Sequence, residues 1–248
     1  MSLSNQEIKL HEKAMTLVHS DKHLSYDEKL FILENFQESY NKDNKAAGAF
    51  FTPLDLCRDF TVDIGNTNSG VDLCAGIGKL SWYQVQYLKN QGVEIDWTCV
   101  EYNYDYYSVG KRVLPECEWI YGDVFEYCQN YTGTKKHVAI SNPPFGNIRR
   151  ATDLPESHLY RLKNFEFQVI EAAKAVATYG VFLLPQNSSP FRLSGVQYFQ
   201  KQSEFSKAGV FTKKTGIVLD AGCGVDTSFY KDDWHGVKIV TEVVLADY

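Results

Sequence analysis

Hydrophobic positions along this chain follow two different periods, and the switches between them mark its elements. Residues 5–20 and 25–41 read as helices. In the second, Leu30, Ile32, Leu33 and Phe36 form one stripe, and Ser25 with Glu28 makes a capping box. A third amphipathic run covers 54–60, with Pro53 in its first turn and Thr52 as its N-cap. Beyond Gly70, short β-rich runs alternate with helical ones. Strands are predicted at 71–74, 94–101, 119–121, 137–140 and 181–184, and helices at 79–90, 104–114, 124–131 and 159–178. A helix is also predicted over 194–207, and the β-rich stretches 216–220 and 237–245 predict an antiparallel pair at one edge.

Strands that alternate with helices predict an α/β fold: a doubly wound, mostly parallel sheet with right-handed crossovers, here seven-stranded when the edge pair is included. The first helices predict a helical N-terminal lobe over 1–45, whose role is packing, with 46–248 forming one α/β domain.

Candidate chemistry concentrates at strand ends. Asn142-Pro143-Pro144-Phe145 stands where the strand 137–140 runs out, and open α/β sheets bind ligands at such ends. Two prolines fix φ and offer no N–H, which leaves carbonyls turned outward. Asn142 adds a second acceptor and Phe145 a flat apolar face, an arrangement suited to a planar base with an exocyclic amine. A rigid turn with Asn as an ordinary turn residue is the plainer reading. Upstream, Asp72-Leu73-Cys74-Ala75-Gly76-Ile77-Gly78 reads as strand, glycine turn and helix start, where the backbone can approach a ligand closely. Glu101 ends the next strand at about the distance at which an acid meets a ribose hydroxyl. Asp123 follows the third strand. A second glycine stretch, 219–224, resembles a nucleotide loop, but the 24 residues after Gly224 cannot complete a βαβ site, so it reads as a turn.

Composition narrows the class. No segment of 18 uninterrupted apolar residues occurs, so no membrane span is expected, and the first residues lack the regions of a signal peptide. The six cysteines (57, 74, 99, 117, 128 and 223) form no C-x-x-C pair and have no His at zinc spacing. A reduced, cytoplasmic protein without a metal is the expectation. The net charge of −6 argues against unaided binding to nucleic acid, but residues 127–215 hold 12 Lys/Arg against 5 Asp/Glu. That asymmetry fits one end handling a cofactor while the other faces a polyanion, or equally a scatter of solvated charges. Arg149, Arg150, Arg161 and Lys163 follow the tetrapeptide, where they would meet phosphates or form a solvated loop.

Together with 48–53 (Gly-Ala-Phe-Phe-Thr-Pro), these motifs over roughly 46–190 resemble the S-adenosylmethionine-dependent amino-methyltransferases. The likeness is to the adenine-N6 DNA methyltransferases, whose cofactor motif precedes Asn-Pro-Pro-Phe. The resemblance implies a Rossmann-like methyltransferase sheet and S-adenosyl-L-methionine as cofactor. Phe51 and Thr52 would then flank the methionine moiety, and Asp72 with the turn at Gly76 and Gly78 would hold it. Glu101 would accept from the ribose hydroxyls, Tyr102 would cover the cofactor's adenine, and Asp123 would accept from that adenine's amine. Asn142 and the Pro143 carbonyl would accept from the target amine while Phe145 stacks on the target base; Arg149 and Arg150 would bind substrate.

The chain departs from that family in one respect: no target-recognition region is evident after the catalytic sheet. Either specificity is minimal, or a partner protein supplies it, or the substrate is not duplex DNA. Compact adenine-N6 RNA methyltransferases carry the same tetrapeptide, and glutamine methyltransferases of release factors carry a close relative with Tyr last. The Phe-Phe-Thr-Pro stretch tilts the expectation toward DNA. A non-catalytic, methyltransferase-like subunit that binds nucleic acid is the rival from another class.

Overall fold

A computed structural model of the chain describes residues 3–40, 50–235 and 237–248. Gly48 and Ala49 of the 48–53 stretch, and the proposed lobe boundary at 45, lie outside the described residues. Helices α1 (Asn5–Val18) and α2 (Tyr26–Asn35) come first, each opened by a Ser/Glu capping box, Ser4 with Glu7 and Ser25 with Glu28. α3 (Leu54–Ile64) leads into β1 (Ser69–Leu73), α4 (Lys79–Asn90), β2 (Asp96–Glu101), α5 (Tyr104–Val113), β3 (Glu118–Tyr121), α6 (Val124–Asn130) and β4 (Lys136–Ser141). α7 (Phe165–Ala173) and β5 (Ala177–Pro185) follow. Then come a short hairpin, β6 (Phe191–Arg192) with β7 (Gln200–Lys201), and finally α8 (Lys207–Thr215), β8 (Leu219–Ala221) and β9 (Thr241–Asp247).

Seven strands form one sheet in the order β3-β2-β1-β4-β5-β9-β8. β9 runs antiparallel to both β5 and β8, and the remaining pairs are parallel. The chain enters at β1 and steps outward to β2 and β3. It then returns to lay β4 on the other side of β1, so the winding reverses between β1 and β4. A crevice opens at the carboxyl ends of strands at such a reversal.

Side chains that alternate along the strands feed two cores. Val138, Ile140, Val181 and Leu183 enter one, with Leu56 of α3, Leu80 of α4 and Tyr106 of α5; Ala139, Phe182 and Leu184 enter the other, with Phe125 of α6, Phe167 of α7 and Phe211 of α8. Ala14, Ile32, Leu33 and Phe36 of the N-terminal helices belong to the first of these cores, so that lobe shares its packing with the sheet. Arg112 of α5 ties it down: Nε donates to the Val18 carbonyl and Nη2 to those of Ser20 and Lys22, at 2.8–3.1 Å, which satisfies carbonyls left over past the end of α1.

Four sequence expectations need correction. The helix predicted over 25–41 ends at Asn35, where Phe36 takes an extended backbone (φ −67°, ψ 128°). The predicted helix over 159–178 is shorter, because Glu171 draws in the backbone N–H groups of Leu159 and Tyr160 and keeps that approach irregular, while β5 already begins at Ala177. No helix forms over 194–207: Gly195 has φ +70°, the buried Ser194 is bound by Glu242, and the segment forms the β6–β7 hairpin instead. Thr52 does not cap α3; Pro53 holds the N-cap position without a side-chain bond, and the Thr52 hydroxyl is engaged elsewhere. The glycine stretch at 219–224 is β8 and the turn after it, held by Asp63, whose Oδ1 accepts from the Cys223 N–H at 2.6 Å.

Candidate active site

The carboxyl ends of β1, β2, β3 and β4 open into one cavity of about 810 Å³. Of the candidate residues expected from sequence, Gly78, Arg161 and Lys163 lie outside its lining. Gly78 begins α4 at φ +86°, and a Cβ there would meet Leu114 and Trp119, so this glycine serves helix packing.

Past Leu73 the backbone turns sharply through Cys74 (φ +67°), Gly76 (φ +57°) and Gly78. Cys74 takes a left-handed conformation that costs an ordinary side chain about 1–2 kcal/mol. Glu101 braces this turn: Oε2 accepts from the Gly76 N–H at 2.7 Å and Oε1 from the Asn103 N–H at 2.7 Å. Burial pushes its carboxyl up, opposed by these amides. A Cβ on Gly76 would stand 2.8 Å from Cε1 of Phe51, so the missing side chain lets that ring lie against the turn.

Asp72, 1% exposed, points from β1 toward α4. Its Oδ2 accepts from the Ser81 hydroxyl at 2.7 Å, and Ser81 in turn accepts from Trp97 Nε1 at 2.9 Å. Its Oδ1 is buried and has no partner among the described residues. Burial pushes the Asp72 carboxyl up to about 7. Ser81 and Trp97 carry no sequence signal of their own; they are read only once α4 and β2 are seen flanking β1.

At the end of β4 the Ser141 hydroxyl donates to the Leu73 carbonyl and joins the two strand ends. Asn142 Nδ2 donates to the Phe50 carbonyl at 2.9 Å and to Thr52 Oγ1 at 3.0 Å. A backbone carbonyl only accepts, so this pairing sets which way round the amide lies. Both amide protons are engaged, while Oδ1 is buried without a partner among the described residues. Pro143 is buried and Phe145 half-buried in the lining. The exit of the tetrapeptide is held by Glu166 of α7, which accepts from the Gly146 N–H at 2.8 Å and from the Ser188 hydroxyl at 2.9 Å.

Asp123 caps α6, accepting from the N–H groups of Phe125 and Glu126 through Oδ1, and the same oxygen accepts from Thr152 at 2.8 Å. That contact draws the loop after the tetrapeptide across the cavity, which places Arg149 and Arg150 in its lining. Arg161 is not among them; its Nη2 donates to the carbonyls of Pro155 and Glu156 and braces its own loop. Tyr102 stands 63% exposed on the rim. Lys79, not anticipated from sequence, also lines the cavity. The site thus combines two orphan buried acceptors with aromatic faces and a glycine turn, and it suits a ligand with N–H donors and a planar ring.

In this sheet order, with one reversed strand beside the last parallel ones, the fold is that of the Rossmann-like methyltransferases. No protein-family model matches the sequence, and a search of curated proteins returned no match. Among solved structures, the chain is similar to the type I restriction-modification system methyltransferase subunit from Streptococcus thermophilus (TM-score 0.60, 13% identity, 89% of this chain and 48% of that one). It is similar to a modification subunit described for a type I restriction enzyme of Vibrio vulnificus YJ016 (TM-score 0.57, 14% identity, 91% and 50%). A structure from Listeria monocytogenes described as a class I S-adenosylmethionine-dependent methyltransferase aligns at TM-score 0.50 with 13% identity, over 99% of this chain and 81% of that one. The chain spans about half the length of the type I subunits it matches.

Proposed function

We propose that this chain transfers a methyl group from S-adenosylmethionine to the N6 amine of adenine in DNA. One observation carries the reading: Asn142 Oδ1 is a buried acceptor without a partner among the described residues, held in the cavity wall because Nδ2 is bound to Phe50 and Thr52. An orphan acceptor costs about 1–3 kcal/mol in the free protein, and a ligand amine relieves it.

The residues present fit the cofactor. Asp72 has a free buried oxygen for its ammonium, Glu101 borders the cavity beside the glycine turn, and Phe51 and Tyr102 offer flat faces. When bound, S-adenosylmethionine supplies an activated sulfonium methyl. The chain's own part is positioning. Asn142 Oδ1 and the Pro143 carbonyl accept the two protons of the target amine, which localises the nitrogen lone pair otherwise delocalised into the ring. Phe145 stacks on the base. Arg149 and Arg150, in the loop drawn in by Asp123 and Thr152, meet the flanking phosphates. In a duplex the base must leave the stack, at about a few kcal/mol.

A specificity partner belongs to the same reading: the type I subunits of similar fold are, by their descriptions, parts of multi-component systems, and this chain spans half their length. The test is transfer of tritiated methyl groups to DNA, RNA and protein in parallel. Incorporation into DNA adenine that is lost in Asn142→Ala supports the proposal; incorporation confined to RNA overturns the choice of DNA, and none into any substrate, alone or with a partner, overturns the enzyme.

A further inference from the structure

Resting on the DNA reading above, we propose that the β6–β7 hairpin, with the segment that joins it to α8, is a platform for an unpaired DNA strand, whose bases beside the target adenine stack on Tyr198 and Phe205.

β5 runs parallel to β4, so the chain leaves its carboxyl end on the side of the sheet where the cavity opens. The hairpin that follows is fixed to the tetrapeptide through one side chain: Glu166 accepts both from the Gly146 N–H at 2.8 Å and from the Ser188 hydroxyl at 2.9 Å. Its base is clamped from β9, where buried Glu242 accepts from the N–H groups of Leu193 and Ser194 at 2.9 and 3.0 Å and from the Ser194 hydroxyl at 2.8 Å. Asp226 accepts from the Gly195 N–H at 3.1 Å and from the Ser228 N–H at 3.0 Å, which binds the single helical turn Thr227–Tyr230 to the hairpin.

On this mount the aromatic faces turn outward. Among the described residues the three most exposed large apolar side chains are Phe205, Phe229 and Tyr198, at 85%, 80% and 72%, and all three belong to the hairpin, the segment after it or the turn bound to it. Phe199 stacks on buried Phe191 at 5.4 Å and supports the face beneath Tyr198. Single exposed aromatics are ordinary, whereas a group of them mounted beside a site marks a binding surface. Charge selects the occupant. In a chain of net charge −6, residues 186–215 hold Arg192, Lys201, Lys207, Lys213 and Lys214 against one acid, Glu204. All five cations are exposed, and none pairs with a carboxylate among the described residues. Flat faces among surplus cations suit bases and phosphates together, and a duplex hides its base faces inside the stack, so the fitting partner is an unpaired strand.

Fluorescence anisotropy of the full chain with one labelled DNA sequence, as a single strand and as a duplex, and with the matching RNA strand, tests this. The wild type should bind the DNA single strand most tightly. Tyr198→Ala/Phe205→Ala should weaken that binding by about tenfold or more, the scale of one lost base stack, while Tyr198→Phe/Phe205→Trp keeps it. Lys201→Gln/Lys207→Gln should lower the slope of log affinity against log salt by about 1.4. Unchanged S-adenosylmethionine affinity and melting temperature show that each variant is folded. A wild type that prefers the duplex or the RNA strand, or an alanine variant that binds the single strand as wild type does, overturns the platform and leaves methyl transfer to be judged by its own assay. Self-association of the wild type that the alanine variant abolishes, with strand binding untouched, makes the surface a protein contact and overturns it too. A wild type that binds no nucleic acid at low salt removes this inference together with the DNA reading.

Discussion

Asn142 and Thr52 lie 90 positions apart in the chain and are joined by a hydrogen bond of 3.0 Å. The Thr52 hydroxyl, with the Phe50 carbonyl, takes up the amide protons of Asn142 and leaves Oδ1 as the free atom. The segment before α3 therefore orients the acceptor at the end of β4.

Asn142→Ala should reduce methyl transfer below detection while the dissociation constant for S-adenosylmethionine changes by less than about threefold, because the acceptor acts on the target amine. Thr52→Val removes one tether and should lower the single-turnover rate by about tenfold, the cost of one lost orienting bond, with Thr52→Ser largely restoring it. Quench-flow rates for the three variants, set beside their melting temperatures, check this. A Thr52→Val enzyme of full rate would deny Thr52 the orienting role.

The buried Asp72 makes stability fall as pH rises. Its carboxyl ionises near 3.8 when unfolded and at about 7 when folded, so between those values the folded chain holds the extra proton. Stability is therefore lost progressively across that window. Asp72→Asn should melt at a higher temperature than wild type at pH 8, and the gap should close as pH falls from about 7 toward 4. Melting curves across this range measure it, and a gap independent of pH would mean Asp72 keeps its charge in the folded protein.

Cofactor binding should also release a proton near neutral pH, since an ammonium placed on Asp72 favours the ionised carboxylate. Calorimetry in two buffers of different ionisation enthalpy reads the number of protons directly. Proton uptake would contradict the pairing.

Glu101 serves the fold and the cavity at once. Glu101→Ala leaves the Gly76 and Asn103 N–H groups without their acceptor, at about 1–3 kcal/mol of stability, and should raise the S-adenosylmethionine dissociation constant at least about tenfold. Equilibrium unfolding and calorimetry give the two effects separately. An unchanged dissociation constant in a destabilised chain would make Glu101 a turn brace alone.

Gly76→Ala and Gly110→Ala differ in an instructive way. The first puts a Cβ against Phe51 at a backbone φ of +57°, and it should cost stability of about 1–2 kcal/mol together with affinity. The second drives a Cβ into the Trp119 ring beneath α5, away from the cavity lining. It should destabilise the chain through overpacking, by about 1–3 kcal/mol, with cofactor affinity of the folded fraction unchanged.

Much of the fold was legible because burial on both sheet faces leaves strong local patterns. The apolar runs at 137–140 and 181–184 and the helix at 79–90 stand where the periodicity puts them. Failures occurred where a distant residue overrules the local pattern. Glu242 on β9 binds Ser194 and the backbone beside it, turning a helix-like stretch into a hairpin, and Glu171 keeps 159–160 out of α7. Ser81 and Lys79 escaped notice because a serine and a lysine in the first turn of a helix are ordinary until their neighbours are known.

The amino-acid sequence by itself determined the alternation of strands and helices, the glycine turn after β1 and the stiff Asn-Pro-Pro-Phe end of β4. These follow from backbone preferences and hydrophobic period, which act over a few residues. Only the tertiary structure decided which atoms were left without partners among the described residues: Oδ1 of Asn142 and Oδ1 of Asp72. Hydrogen-bond satisfaction is a three-dimensional tally, settled by groups such as Phe50, Thr52 and Ser81 that packing brings together across the chain.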